Sequence, residues 1–171
     1  MMATRGLRIA TGMVMLALGV TTCAGNRSPA QRSPRWLLDR GDAEAVIQQA
    51  SNDPRGQFWM AEAMALRGRL SEAERQFAEV AAGRGPDAAL AAARQAEVMA
   101  RGGRRRDALQ QADRLATALE GRRDLTSQEW LALGLAYQLL GSEESAQFRD
   151  ALAALDRAIA ADSALLEAQL R

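Results

Sequence analysis

The chain has 171 residues, 48% of them hydrophobic and 4% aromatic, and its 22 basic and 21 acidic residues leave a net charge of +1. That is enough apolar material for one domain with a core, and too even a charge to argue for nucleic acid or another polyanion. Every basic residue is arginine, so Schiff-base and P-loop lysines are excluded, as is imidazole acting as general base or metal ligand.

Alanine and leucine dominate while Val, Ile, Phe and Tyr are sparse, which favours helix over strand. No alternating apolar and polar run is long enough for a sheet. The expectation is an all-α fold.

The first segment carries Arg5 and Arg8 ahead of an apolar stretch from Ile9 to Val20. Twelve residues are too few to cross a hydrocarbon core of about 30 Å, and a basic start before a short apolar stretch reads as a secretory signal. The sole cysteine, Cys23, follows in Val20-Thr21-Thr22-Cys23. This arrangement resembles the lipobox of bacterial lipoproteins, in which the chain is cut before a cysteine that then receives lipid. Val20 matches the aliphatic position, whereas Thr22 departs from the usual Gly, Ala or Ser. The resemblance implies a signal peptide at 1–22 and lipid attachment at Cys23; an ordinary signal with an incidental cysteine is the alternative. Cleavage would leave 20 arginines against 21 acids, net −1. Ala24 follows the cysteine, with no aspartate there. By the sorting rule of such lipoproteins this favours the outer membrane, if the cell has one.

Residues 23–35 read as a flexible tether, with two Ser-Pro pairs and no apolar periodicity. The folded part is expected at 36–171, opening with one helix or a helical pair over residues 36–50. A single cysteine rules out an internal disulfide.

Three stretches then repeat. In WLALGLAYQLLG, Gly134 interrupts an apolar helix at a cost of about 1 kcal/mol against alanine. Trp130, Leu133, Gly134 and Tyr137 fit W-x2-L-G-x2-Y, the tetratricopeptide signature. Gly141 stands at the expected turn, and Ala151, Leu155 and Ala158 give the small–large–small pattern of a second helix. Weaker copies precede it, one with Ala61, Gly68, Ala73, Phe77 and Val80, the other with Ala96, Gly103, Ala108, Ala112 and Leu115. Both Gly68 to Gly103 and Ala73 to Ala108 span 35 residues, against 34 in the family. The chain thus resembles a tetratricopeptide-repeat protein, an α-solenoid of about three antiparallel helix pairs with flanking helices. The repeats fall at about 54–87, 89–121 and 127–163, and 164–171 starts a further helix. Gly134, Ala61 and Ala96 are expected where paired helices cross too closely for a larger side chain. Capping boxes are expected at Ser71 to Glu74 and at Thr126 to Glu129. Gly141 to Ala151 spans ten residues where the earlier copies span five, so SEESAQFRD lengthens the turn or a helix.

Chemistry is sparse. Glu143-Glu144 is the sole adjacent acidic pair, and neighbours on a helix do not face each other; no metal, cofactor or catalytic residue is expected. No nucleophile elbow, Walker loop or dinucleotide fingerprint occurs, so the chain is not expected to be an enzyme. Arg101, Arg104, Arg105 and Arg106 form the densest basic cluster, read as a solvated turn or as a site for phosphorylated head groups or an acidic protein.

The resemblance implies a concave groove built from the first helix of each pair. It places the groove on Arg55, Phe58 and Glu62, then Leu90, Ala93, Glu97 and Arg101, then Gln128, Leu131, Leu135 and Gln138. Glu97 and Arg101 are spaced to pair with each other. The expected role is a lipid-anchored adaptor that binds a peptide or helix of another envelope protein, with no nucleic acid. The alternative is a spacer within a larger envelope protein.

Overall fold

The computed structural model describes residues 33–50, 53, 55–141 and 145–163. The expected signal at 1–22, Cys23, most of the tether and the helix at 164–171 lie outside them.

Eight helices follow one another, and no strand occurs among the described residues: α1 Pro34–Asp39, α2 Ala43–Ala50, α3 Gly56–Leu66, α4 Leu70–Ala82, α5 Ala88–Arg101, α6 Arg105–Glu120, α7 Ser127–Leu140 and α8 Ser145–Ala161. Each of α1/α2, α3/α4, α5/α6 and α7/α8 packs as a pair, and the second helix of one pair packs on the first of the next. This is a tetratricopeptide-like array of antiparallel helix pairs. None of its described helices is long and apolar enough to cross a membrane.

The fold starts two residues before Trp36. Ser33 Oγ accepts from the Trp36 N–H at 3.3 Å and Pro34 stands in the first turn, where a missing N–H costs nothing. Residues 36–50 form the pair α1/α2 rather than one helix.

Three of the intra-pair turns are built alike. Gly41, Gly68 and Gly103 have φ of 75°, 76° and 83°, the left-handed region that glycine enters without a Cβ clash. In each, the next residue's N–H reaches back five positions: Asp42 to Leu37 O at 2.9 Å, Arg69 to Met64 O at 3.0 Å and Arg104 to Met99 O at 2.9 Å. This hydrogen-bonded cap satisfies carbonyls that a helix end leaves open. Gly141 is different, with φ −63°. There a Cβ would meet Tyr137 O at 3.0 Å and Phe148 N at 3.2 Å, so close approach, not handedness, favours glycine.

The Thr126 box forms as expected: Glu129 N–H donates to Thr126 Oγ1 at 3.2 Å and Thr126 N–H to Glu129 Oε2 at 2.8 Å. Burial pushes the Glu129 carboxyl up, but the Thr126 bonds and Arg122 outweigh it and hold it below its ordinary range. The Ser71 box does not form. The Gly68 turn leads the chain into α4 at Leu70, so Ser71 already lies inside the first turn, and Arg69 instead donates to Glu72.

Gly134 stands where a Cβ would come within 2.7 Å of Leu155 Cδ2 and 2.8 Å of its Cγ. The missing side chain lets α7 and α8 cross closely, and packing offsets the lost helix propensity. Ala61, Ala73, Ala96, Ala108, Leu133, Ala151 and Ala158 are all buried. Trp130 and Tyr137 are half-buried: Arg157 lies 4.7 Å over the Trp130 ring, and Tyr137 Oη donates to Glu120 at 2.6 Å. Burial first, then the Glu120 carboxylate, keeps that phenol protonated far above its usual range. Three of the five extra residues after Gly141 lengthen a helix, since α8 begins six residues before Ala151 while α4 and α6 begin three before Ala73 and Ala108.

Candidate functional site

Backbones in the array do not approach one another uniformly. α5 packs directly on α7, but α3 and α5 have no backbone approach of comparable extent and are joined by side chains. The space between them holds a cleft of about 390 Å³, lined among others by Glu62, Phe77, Arg94, Glu97, Arg101 and Leu139. A second hollow of about 200 Å³ continues it towards α1, past Glu62, Arg94 and Leu66 to Leu38 and Asp39.

Arg94 is the centre of this groove. Its Nε lies 2.8 Å from Glu62 Oε1 across the α3/α5 gap, and its Nη1 donates to Glu97 Oε2 at 2.6 Å. All three side chains are largely shielded, which strengthens their attraction over that of an exposed pair. Arg101 Nη2 donates to Ala65 O at 3.1 Å, another bridge between the same helices. Glu97 and Arg101, spaced to pair with one another, therefore each engage a different partner. Apolar groups interleave with the charges: Phe77 is buried, and Leu66 is 49% exposed at the end of α3.

Glu62, Glu97 and Arg101 thus line this cleft. Leu90, Ala93, Leu131 and Leu135 are buried in the core; Phe58 is buried too, but lines a separate hollow between the start of α3 and the turn before α5. The first helix of each pair packs against its own partner and against neighbouring pairs, so two of its faces are apolar; α7 buries six consecutive residues from Leu131 to Ala136. Gln138 is half-buried on α7.

Arg55 and Gln128 meet outside the groove, at the edge where α3, α5 and α7 begin. Arg55 Nε donates to Asp87 Oδ2 at 2.7 Å. The Gln128 amide, oriented with its nitrogen inward, donates to Asp87 Oδ1 at 2.9 Å and Pro86 O at 3.0 Å. Asp87 is only 6% exposed, so it depends on this pairing. The Arg55 guanidinium also lies 4.7 Å over the Trp59 ring. One buried carboxylate thereby ties three repeats together, at the rim of a hollow of about 530 Å³ that Arg55, Phe58 and Asp87 line.

Arg94 and Asp87 were not foreseen from the sequence. Asp87 follows a proline just before an apolar run, a helix-start signal, but its side chain bonds Arg55 in place of the α5 backbone. Arg94 carried the weaker signal, three residues ahead of Glu97.

No family model and no curated protein matches this chain. Among solved structures, MamA 41-end from Desulfovibrio magneticus RS-1 is similar at 23% identity and a TM-score of 0.41, covering 79% of this chain and 75% of that one. A likeness of that degree fixes no functional detail.

Proposed function

We propose that the protein is a non-catalytic adaptor that holds a peptide or helix of another protein in the groove between α3 and α5. The observation that supports this is the groove's composition: a largely shielded Glu62–Arg94–Glu97 set beside Leu66, Phe77 and Leu139. Charges of both signs around apolar anchors suit a segment with a hydrophobic stripe flanked by polar groups.

The reading extends to an exported chain tethered by lipid on Cys23, so that the groove faces partners within the bacterial envelope, on the periplasmic face of an outer membrane where one exists. It is supported by the order of Arg5, Arg8, the short apolar stretch and the cysteine. Metabolic labelling with a radioactive fatty acid should mark the wild type and leave Cys23→Ala unlabelled. Equal labelling of both would remove the anchor from the proposal.

The groove is tested by crosslinking the full chain in cells and comparing it with a Leu66→Arg, Glu97→Arg variant whose helix content matches by circular dichroism. A partner captured at least about fivefold more by the wild type supports the adaptor. Equal capture sinks the groove, and no capture by either chain favours the spacer role.

A further inference from the structure

α8 carries an apolar ridge on the side turned away from the rest of the array. Phe148 is 47% and Leu152 58% exposed, with Leu66 the most exposed large hydrophobic residues among those described. At 100° per residue, Ile159 lies in line with them but is packed against the core, and Arg149 and Asp156 flank the exposed pair on one side. The opposite side of α8 meets the preceding pair: Ala154 and Arg157 line a hollow with Leu119 and Glu120 of α6.

Repeat equivalence says what such a face does. Aligned on Ala73, Ala108 and Ala151, Phe148 corresponds to Leu70 and Arg105, Leu152 to Glu74 and Leu109, and Ile159 to Ala81 and Ala116. Glu74 pairs with Arg104 of the next turn, Leu70 and Ala81 pack against the core, and Ala116 is buried. In the first repeat this face meets the turn of the following pair; in the second, Ala116 is covered while Arg105 stays exposed. On α8 it carries bulkier apolar groups, and a helix is the natural cover.

We infer that the cover is α8 of a second copy of this chain, packed antiparallel about a two-fold axis near Leu152. The charges select that arrangement. In a two-fold antiparallel pair, flanking residues of one side meet the same side of the other copy in reversed order. Arg149 then faces the second copy's Asp156, and Asp156 faces its Arg149, seven residues or about 10 Å apart along each helix. Leu152 meets its own counterpart, with the Phe148 of each copy at either end of the contact. A parallel pair would instead set Arg149 and Asp156 against the apolar flank. One helix face is below the roughly 800 Å² per partner of a standard interface, so the association is reversible and concentration-dependent.

The test uses the full chain, co-expressed as two differently tagged copies, with Phe148 replaced by the photo-crosslinking analogue benzoylphenylalanine, which keeps the aromatic bulk. Illumination should yield a species carrying both tags. Arg149→Asp alone and Asp156→Arg alone should each lower it at least about fivefold, and the two combined should restore most of it, because the swapped charges pair again. Crosslinks confined to one chain, crosslinks to a different protein, no crosslink, or a two-tag species indifferent to the charge reversals would each overturn the inference. The reciprocal rescue also rules out misfolding as the cause of loss in the single variants.

Discussion

The gap between α3 and α5 is bridged by charged side chains, whereas α7 and α8 close by direct contact. Between α3 and α5 the bridges are long side chains: Arg55 to Asp87, Arg94 to Glu62 and Arg101 to the Ala65 carbonyl. Between α7 and α8 a glycine lets the helices approach, and Leu155 fills the space. A hollow of about 220 Å³ remains beside that crossing, lined by Trp130 and Tyr137 of α7 and Arg157 of α8, while the side-chain struts between α3 and α5 leave one of about 390 Å³. The same architecture therefore yields a tighter and a more open crossing, according to whether the crossing residue is small or the bridging residue is long.

Removing the filler should have the largest effect on stability. Leu155→Ala should cost about 3 kcal/mol, as for a large-to-small change in a core. Gly134→Ala should cost about 1–2 kcal/mol, overpacking exceeding the gain in helix propensity. The double variant, measured by urea unfolding, should be less destabilised than the two losses added, since each change makes room for the other. Strict additivity would mean that the two side chains do not compete for one space.

On the polar side, Asp87→Ala should cost about 2 kcal/mol by leaving a partly buried guanidinium uncompensated, a loss tempered by the exposure of Arg55. It should also loosen the starts of α3, α5 and α7 together, seen as faster amide exchange in all three helices. Loss of protection in α5 alone would contradict the three-way joint.

The smallest effect belongs to the cap. Thr126→Ala should cost about 1 kcal/mol. Glu129 has its carboxyl pKa depressed on folding, so its contribution is present above the unfolded value near about 4.3 and is lost as pH falls through the lower folded one. Glu129→Gln should flatten that part of the acid unfolding curve; an unchanged curve would show that the box contributes nothing there.

What the sequence made legible follows range. Gly134 was readable because a glycine inside an apolar helix needs a local reason, and the Thr126 box because both its partners lie within four residues. Gly41 was not recognised as a third copy of the Gly68 turn, since α1 and α2 are too short to repeat the spacing of the longer pairs. Leu90, Ala93, Leu131 and Leu135 lie in the core and not on an open face, because a helix packed on several sides shows more than one apolar face, and periodicity does not say which is covered. Glu62 and Arg94 stand 32 residues apart, and only the way α3 and α5 are set apart brings them together.

The recurring glycine turns bear on how the chain reaches this structure. Each is closed by hydrogen bonds spanning no more than five residues, so a helix pair can reverse direction before any distant segment arrives. Folding can then start at whichever pair collapses first and spread to its neighbours, with little loop-closure entropy to overcome and correspondingly high speed. The α7/α8 pair adds a requirement of its own, since Gly134 and Leu155 must also meet.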